Sequence, residues 1–159
     1  MDASFVSSTN VLCIIERVAE TFWEKALAMS TRNSKILFVD DEETIADTLA
    51  LIFSQRGYDT RAAYSAEQAL EIIAEWPPDL AILDVVLSKI HGIDLAILLT
   101  QKRPNCRILL FSGQTLTSDL LAEAEKKGYT FTILAKPVHP ALLLDKALEV
   151  LTGNKEEPT

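Results

Sequence analysis

Between residues 35 and 152 short apolar runs and amphipathic stretches take turns, and few folds accept that order. The runs fall at 35–39, 59–63, 79–83, 107–112 and 131–135. The stretches that follow them, at about 43–56, 65–76, 91–102, 115–127 and 139–152, carry apolar residues at helical spacing. This is a (βα) unit repeated five times. Ile36-Leu37-Phe38-Val39, Leu80-Ala81-Ile82-Leu83 and Ile108-Leu109-Leu110-Phe111 are apolar at every position, the pattern of parallel strands covered by helices on both faces. Asp59-Thr60-Arg61-Ala62-Ala63 is more polar and suits an edge. Gly57 follows the first helical stretch as a C-cap would, Ser65 can cap the second with Gln68 three residues on, and Pro77-Pro78 stop it. Right-handed crossovers then leave an α/β fold with a doubly wound, five-stranded parallel sheet as the economical topology. Sheets of this kind take ligands beyond the carboxyl ends of their strands, where the strand order reverses.

Composition narrows the classes of function. A 159-residue chain that is 48% hydrophobic and 24% charged, with few Gly and Pro, forms a packed fold. Its formal net charge of -8 argues against a nucleic-acid footprint, which needs clustered Lys and Arg, so no direct nucleic-acid partner is expected. Cys13 and Cys106 are far apart and lack neighbouring ligands at metal spacing, which suggests neither a disulfide framework nor a zinc site. No apolar run approaches the ~20 residues of a membrane span. Glu16, Arg17, Glu20, Glu24 and Lys25 stand where a signal peptide would be apolar. A cytoplasmic location without a membrane span is expected.

Residues 1–34 read as an N-terminal extension with one amphipathic helix. Val11, Ile15, Val18 and Phe22 recur at helical spacing, widened by Leu12, Ile14 and Trp23. Such a stripe can dock on the main domain, pair with a second copy in a homodimer, or lie on another partner. Equally, Met29 opens "MSTRNSKILFVDDE", a natural beginning for a compact domain, so residues 1–28 also fit an over-extended gene start. Residues 35–152 form the expected domain, and "GNKEEPT" at 153–159 reads as a polar tail that leaves no room for an output domain.

The chemistry gathers at the strand ends. "KILFVDDEE" runs four apolar residues straight into four carboxylates, Asp40, Asp41, Glu42 and Glu43. Asp84 leaves the third run, Ser112 the fourth, and Lys136-Pro137 the fifth. Each has a bland reading alone. An Asp pair after a strand serves as a turn or helix cap, Glu42 and Glu43 complement a helix dipole, Lys136 suits a solvated loop, and Ser112 a capping or core hydroxyl. Their coincidence at one rim of one sheet favours a site. Three carboxylates in one pocket stay ionised only beside a cation, and hard oxygen ligands favour Mg2+ or Mn2+.

With these residues placed, residues 35–152 resemble the receiver domain of two-component response regulators, of the stand-alone type. The matching pieces are "VDDEE" at 39–43, "LAILDVVLSKIHGIDL" at 80–95 with its Gly92, "ILLFSG" at 108–113 and "AKP" at 135–137. The resemblance implies the strand order 2-1-3-4-5. It also implies that Asp84 is the phosphoacceptor, receiving a phosphoryl group from a histidine kinase or a histidine phosphotransfer protein and signalling to a downstream protein partner. Asp41 and Asp84 would bind Mg2+, Asp40 would hold it directly or through water, and the backbone carbonyl of Val86 would complete the protein ligands. Lys136 would neutralise developing oxygen charge, and Ser112 would donate a hydrogen bond to the aspartyl phosphate. Such a domain is not a conventional enzyme, although receivers promote their own phosphorylation and dephosphorylation.

The sequence departs from the family pattern in two places. Leu87-Ser88 replace the usual Met-Pro, which alters loop stiffness but no ligand. "GYTFTILAKP" is one residue longer than usual before the lysine, and Ile133 stands where an aromatic often swings inward, with Tyr129 and Phe131 nearby. A readout other than the aromatic swing is therefore expected. Val86 and Gln114 lie where side chains bear on an attacking water. The competing function is a constitutive binding module that never cycles through phosphate. An FMN protein would need a Gly- and Ser/Thr-rich loop after the first strand, and a "DxD" phosphatase would need an acid where Val86 stands.

Overall fold

The computed structural model describes residues 16–22, 26, 33–113 and 117–153. The chain divides into two compact units, Met1–Thr31 and Arg32–Thr159. In the first, 16–22 are helical, and the Thr21 hydroxyl donates to the carbonyls of Arg17 and Val18 at 3.0 and 3.1 Å. Most of the apolar stripe, Val11, Leu12, Ile14, Ile15 and Trp23, lies outside the described residues, as do Gln114 and the tail after Gly153.

The second unit is built from β1 (Lys35–Val39), α1 (Glu43–Ser54), β2 (Asp59–Ala63), α2 (Ala66–Glu75), β3 (Leu80–Asp84), α3 (Gly92–Lys102), β4 (Arg107–Ser112), α4 (Thr117–Lys126), β5 (Thr132–Ala135) and α5 (Pro140–Thr152). The five strands are all parallel in the order β2-β1-β3-β4-β5. β2 is the polar edge that its composition predicts.

Strand alternation divides the core in two. Ile36, Phe38, Leu80, Ile82 and Leu109 pack with Phe53 of α1 and with Leu143 and Ala147 of α5. Leu37, Val39, Ala81, Leu83 and Leu110 point the other way, onto α2, α3 and Ala124 of α4. Because Ile36–Val39, Leu80–Leu83 and Leu109–Phe111 are buried on one side or the other, continuous apolar runs are needed. Phe38 and Phe53 meet edge to face with ring centroids 5.0 Å apart.

Local signals fix the element ends. The Ser65 hydroxyl accepts from the Gln68 N–H at 3.1 Å, while the Gln68 side chain accepts from the Tyr64 N–H at 2.8 Å. α2 ends at Glu75, since Trp76 precedes Pro77 and takes the non-helical ψ of 84° that such a residue requires. Trp76 is then buried, with Arg61 4.8 Å and Lys35 5.6 Å from the centre of its ring. Gly57 turns the chain with φ of 96°. Among the described residues no helix is long and apolar enough to cross a membrane.

Candidate functional site

β1 and β3 are neighbours in register, Val39 beside Leu83, so the residues that follow them come out side by side. Those residues are Asp40 and Asp84. With Ser112, the last residue of β4, they are the buried polar residues among those described, at 4%, 8% and 5% exposure. Lys136 leaves β5 and spans both acids: its Nζ lies 3.1 Å from Asp40 Oδ2 and 3.0 Å from Asp84 Oδ2. The remaining carboxylate oxygens are held by backbone. Asp40 Oδ1 accepts from the Glu42 N–H at 2.9 Å, and Asp84 Oδ1 accepts from the Val86 N–H at 3.1 Å. Asp40 thus caps the turn into α1 with one oxygen and faces the lysine with the other. The Lys136 N–H donates to the Ser112 carbonyl at 2.7 Å, which ties the lysine's backbone to β4.

The electrostatics follow from partial burial. Burial pushes the Asp84 carboxyl above its ordinary range and the Asp40 charge adds to this, while the Val86 N–H and Lys136 oppose it. For Lys136 the largest single influence, burial, acts downward, but the hydrogen bonds and charges of Asp84 and Asp40 outweigh it and hold the ammonium above its usual value. One lysine does not neutralise the cluster. Asp41 stands exposed beside it, and Asp40, Asp41 and Asp84 each offer an oxygen within 4.8 Å of the others. Three hard anionic donors this close, with one open to solvent, fit a small divalent cation that keeps part of its water shell.

Asp40, Asp41, Asp84, Ser112 and Lys136 therefore share one end of the sheet. Val86 sits two residues beyond Asp84 with an exposed side chain. Ile133 packs half-buried against the apolar cluster, whereas Tyr129 and Phe131 stack on each other at 6.4 Å, with the Tyr129 hydroxyl accepting from Gln101 Nε2 at 2.8 Å. Sequence reasoning missed two contacts. The Phe111 ring lies 4.6 Å from Lys136 Nζ, and Gly92 at the start of α3 leaves no space for a side chain, because a Cβ there would stand 1.8 Å from the Asp84 carbonyl oxygen. The glycine in "KIHGIDL" was the available signal for the second. No spacing signals the first.

The site lies between β1 and β3, where the strand order reverses, and this defines a flavodoxin-like doubly wound domain with an acid and lysine cluster at its switch point. The chain belongs to the response regulator receiver domain family, which it matches over residues 36–148. Among curated relatives, the DNA-binding response regulator MtrA of Mycolicibacterium smegmatis is 30% identical over 130 residues, covering 82% of this chain and 56% of MtrA. The signal receiver domain of an HD domain-containing protein from Pseudomonas fluorescens is 29% identical with a TM-score of 0.70, covering 79% of this chain and 100% of that one. The response regulator TrrA of Thermotoga maritima, solved in complex with Mg2+-BeF, is 27% identical with a TM-score of 0.64, covering 74% of this chain and 98% of that one. These relationships place the domain in two-component signalling and give no support to a constitutive binding module.

They also correct one expectation. The acidic balance argues against a direct nucleic-acid partner, yet MtrA is a DNA-binding protein by name and this chain spans about half of it. A net charge of -8 describes the residues present. It says nothing of the charge over the remaining length of such a relative, and so excludes no nucleic-acid partner.

Proposed function

We propose that this domain is a phosphorylation-dependent switch of a two-component phosphorelay, accepting a phosphoryl group on Asp84 from a histidine kinase or a histidine phosphotransfer protein with Mg2+. The observation that carries the reading is the Lys136 ammonium held within 3.1 Å of both Asp40 and Asp84 beside the exposed Asp41. Asp41 and Asp84 would hold the metal, Asp40 would join them directly or through water, and the Val86 carbonyl would complete the protein ligands. When bound, Mg2+ supplies positive charge that offsets the repulsion between the acidic cluster and an anionic phosphoryl group.

The chain's own residues then do the following. A carboxylate oxygen of Asp84 attacks phosphorus. The O–P bond forms as the P–N bond of the donor phosphohistidine breaks, and the electron pair stays on the imidazole nitrogen. The neighbouring Lys136 ammonium favours the ionised Asp84 carboxylate that the attack requires. Lys136, already 3.0 Å from Asp84 Oδ2, meets the charge that develops on the transferred oxygens, and the Ser112 hydroxyl donates to the product. Complexed Mg2+-BeF in the Thermotoga relative is in keeping with a metal-dependent site. The test is intact-protein mass spectrometry after incubation with acetyl phosphate and Mg2+. One added phosphoryl mass, lost in Asp84→Asn and in EDTA, is expected. No adduct, with transfer from candidate kinases also failing, would sink the proposal.

A further inference from the structure

Phe111 is buried at 7% exposure, yet among the described residues it belongs to neither apolar cluster. Its place in the sheet explains what it does instead. Phe111 pairs in register with Asp84 on one side and with Leu134 on the other, which sets it between the acidic strand end and the strand that delivers Lys136. Its ring centroid lies 4.6 Å from the ammonium, within the reach of a cation–π contact. Lys136 Nζ meets Asp40 and Asp84 as well, so the cation is gripped by two carboxylates and one aromatic ring.

We infer that Phe111 is a positioning residue, whose ring holds the Lys136 ammonium at the rim while the carboxylates change partners. The inference rests on the phosphoryl-acceptance reading. Once Asp40 and Asp84 turn toward a cation, both ion pairs that hold the lysine weaken before a phosphoryl group has arrived to replace them. The ring does not titrate and binds no metal, so its attraction persists through the cycle. A flexible four-carbon stem otherwise leaves the ammonium free to sample solvent, and the amine side chain is already 22% exposed.

Shape and electrostatics are separable at this position. Incorporating mono-, di- and trifluorophenylalanine at 111 in the full chain weakens the ring's negative face in steps while the side chain keeps nearly the same volume. The expected result is a stepwise fall in the rate of phosphorylation by acetyl phosphate and Mg2+, reaching roughly three- to tenfold for the trifluoro ring and for Phe111→Leu, with Phe111→Trp close to wild type. A second readout needs no phosphorylation. In lysine-labelled protein the Lys136 side-chain resonance, identified by its loss in Lys136→Met, should be displaced by the ring in the unmodified chain and return toward the ordinary lysine position in Phe111→Leu. Equal rates across the fluorinated series overturn the inference. If wild type accepts no phosphoryl group the proposed function fails instead, and the lysine resonance decides on its own: an ordinary lysine position in wild type overturns the positioning role.

Discussion

Gly92→Ala sets two effects of opposite sign against each other. Alanine favours a helix over glycine by about 1 kcal/mol, and Gly92 is the first residue of α3. A view limited to helix propensity therefore expects stabilisation. The surroundings say otherwise, because the added Cβ would lie 1.8 Å from the Asp84 carbonyl oxygen, 2.8 Å from its carbon and 3.0 Å from Val85 Cα. Carbon and oxygen need about 3.3 Å, so the first contact is short by roughly 1.5 Å. All three atoms are backbone of a central strand and the turn that leaves it, and no rotamer change relieves them. Overpacking costs about 1–3 kcal/mol in ordinary cores, and a backbone obstacle places this case at the upper end. After the propensity gain the net loss is about 2 kcal/mol, a fall in Tm of roughly 8 °C for a domain of this size. The helix can escape only by moving away from the residue that carries the proposed chemistry, so phosphorylation of Asp84 should slow as well. Urea unfolding followed by circular dichroism reads the first effect and intact mass the second. An unchanged or higher unfolding midpoint would refute the packing argument.

Other consequences are as direct. Burial, with the Asp79 charge adding to it, pushes the Cys106 thiol from 9.0 to about 12. Between those values the unfolded chain has lost a proton that the folded chain keeps, so stability should fall by ~1.4 kcal/mol per pH unit as pH rises through that window. Urea midpoints at about pH 9.5 and pH 11, both inside the window, should show this slope in wild type and a smaller one in Cys106→Ala. His139 caps α5 through a ring nitrogen that accepts from the Ala141 N–H at 3.2 Å. Replacing it by Asp, a stronger cap whose charge complements the helix dipole, should stabilise by about 0.5–1 kcal/mol in thermal unfolding. Mg2+ at a hundredfold excess over its dissociation constant should add about 2.7 kcal/mol to stability. Asp41→Asn should lose most of that gain, and an Asp41→Asn protein that Mg2+ stabilises as fully as wild type would remove Asp41 from the ligand set.

Much of the fold could be read from the sequence because burial on both faces of a central strand forces an uninterrupted apolar run. β1, β3 and β4 carry that mark, and the polar β2 reads as an edge for the same reason in reverse. β5 is shorter than its pattern, Thr132–Ala135, since Phe131 stacks on Tyr129 ahead of the ladder. Strand and loop cannot be separated there by composition, as both residues are aromatic and half-buried. The acidic residues and the lysine were legible because parallel strands deliver their carboxyl ends to one rim. The Phe111 contact was not, since a cation over a ring 25 residues earlier leaves no periodic trace. Nor does a net charge of -8 decide for or against nucleic acid, since MtrA, DNA-binding by name, extends beyond the part that this chain matches.

Under the proposed function one carboxylate would become an acyl phosphate, and which one it is can be read chemically. Protein treated with acetyl phosphate and Mg2+ is reduced with borohydride, which converts an aspartyl phosphate to homoserine, and its peptides are then sequenced by mass spectrometry. Homoserine at position 84, and at neither Asp40 nor Asp41, is the expected result. Homoserine at Asp40 or Asp41, or at none of the three in a protein that has gained phosphoryl mass, would contradict it.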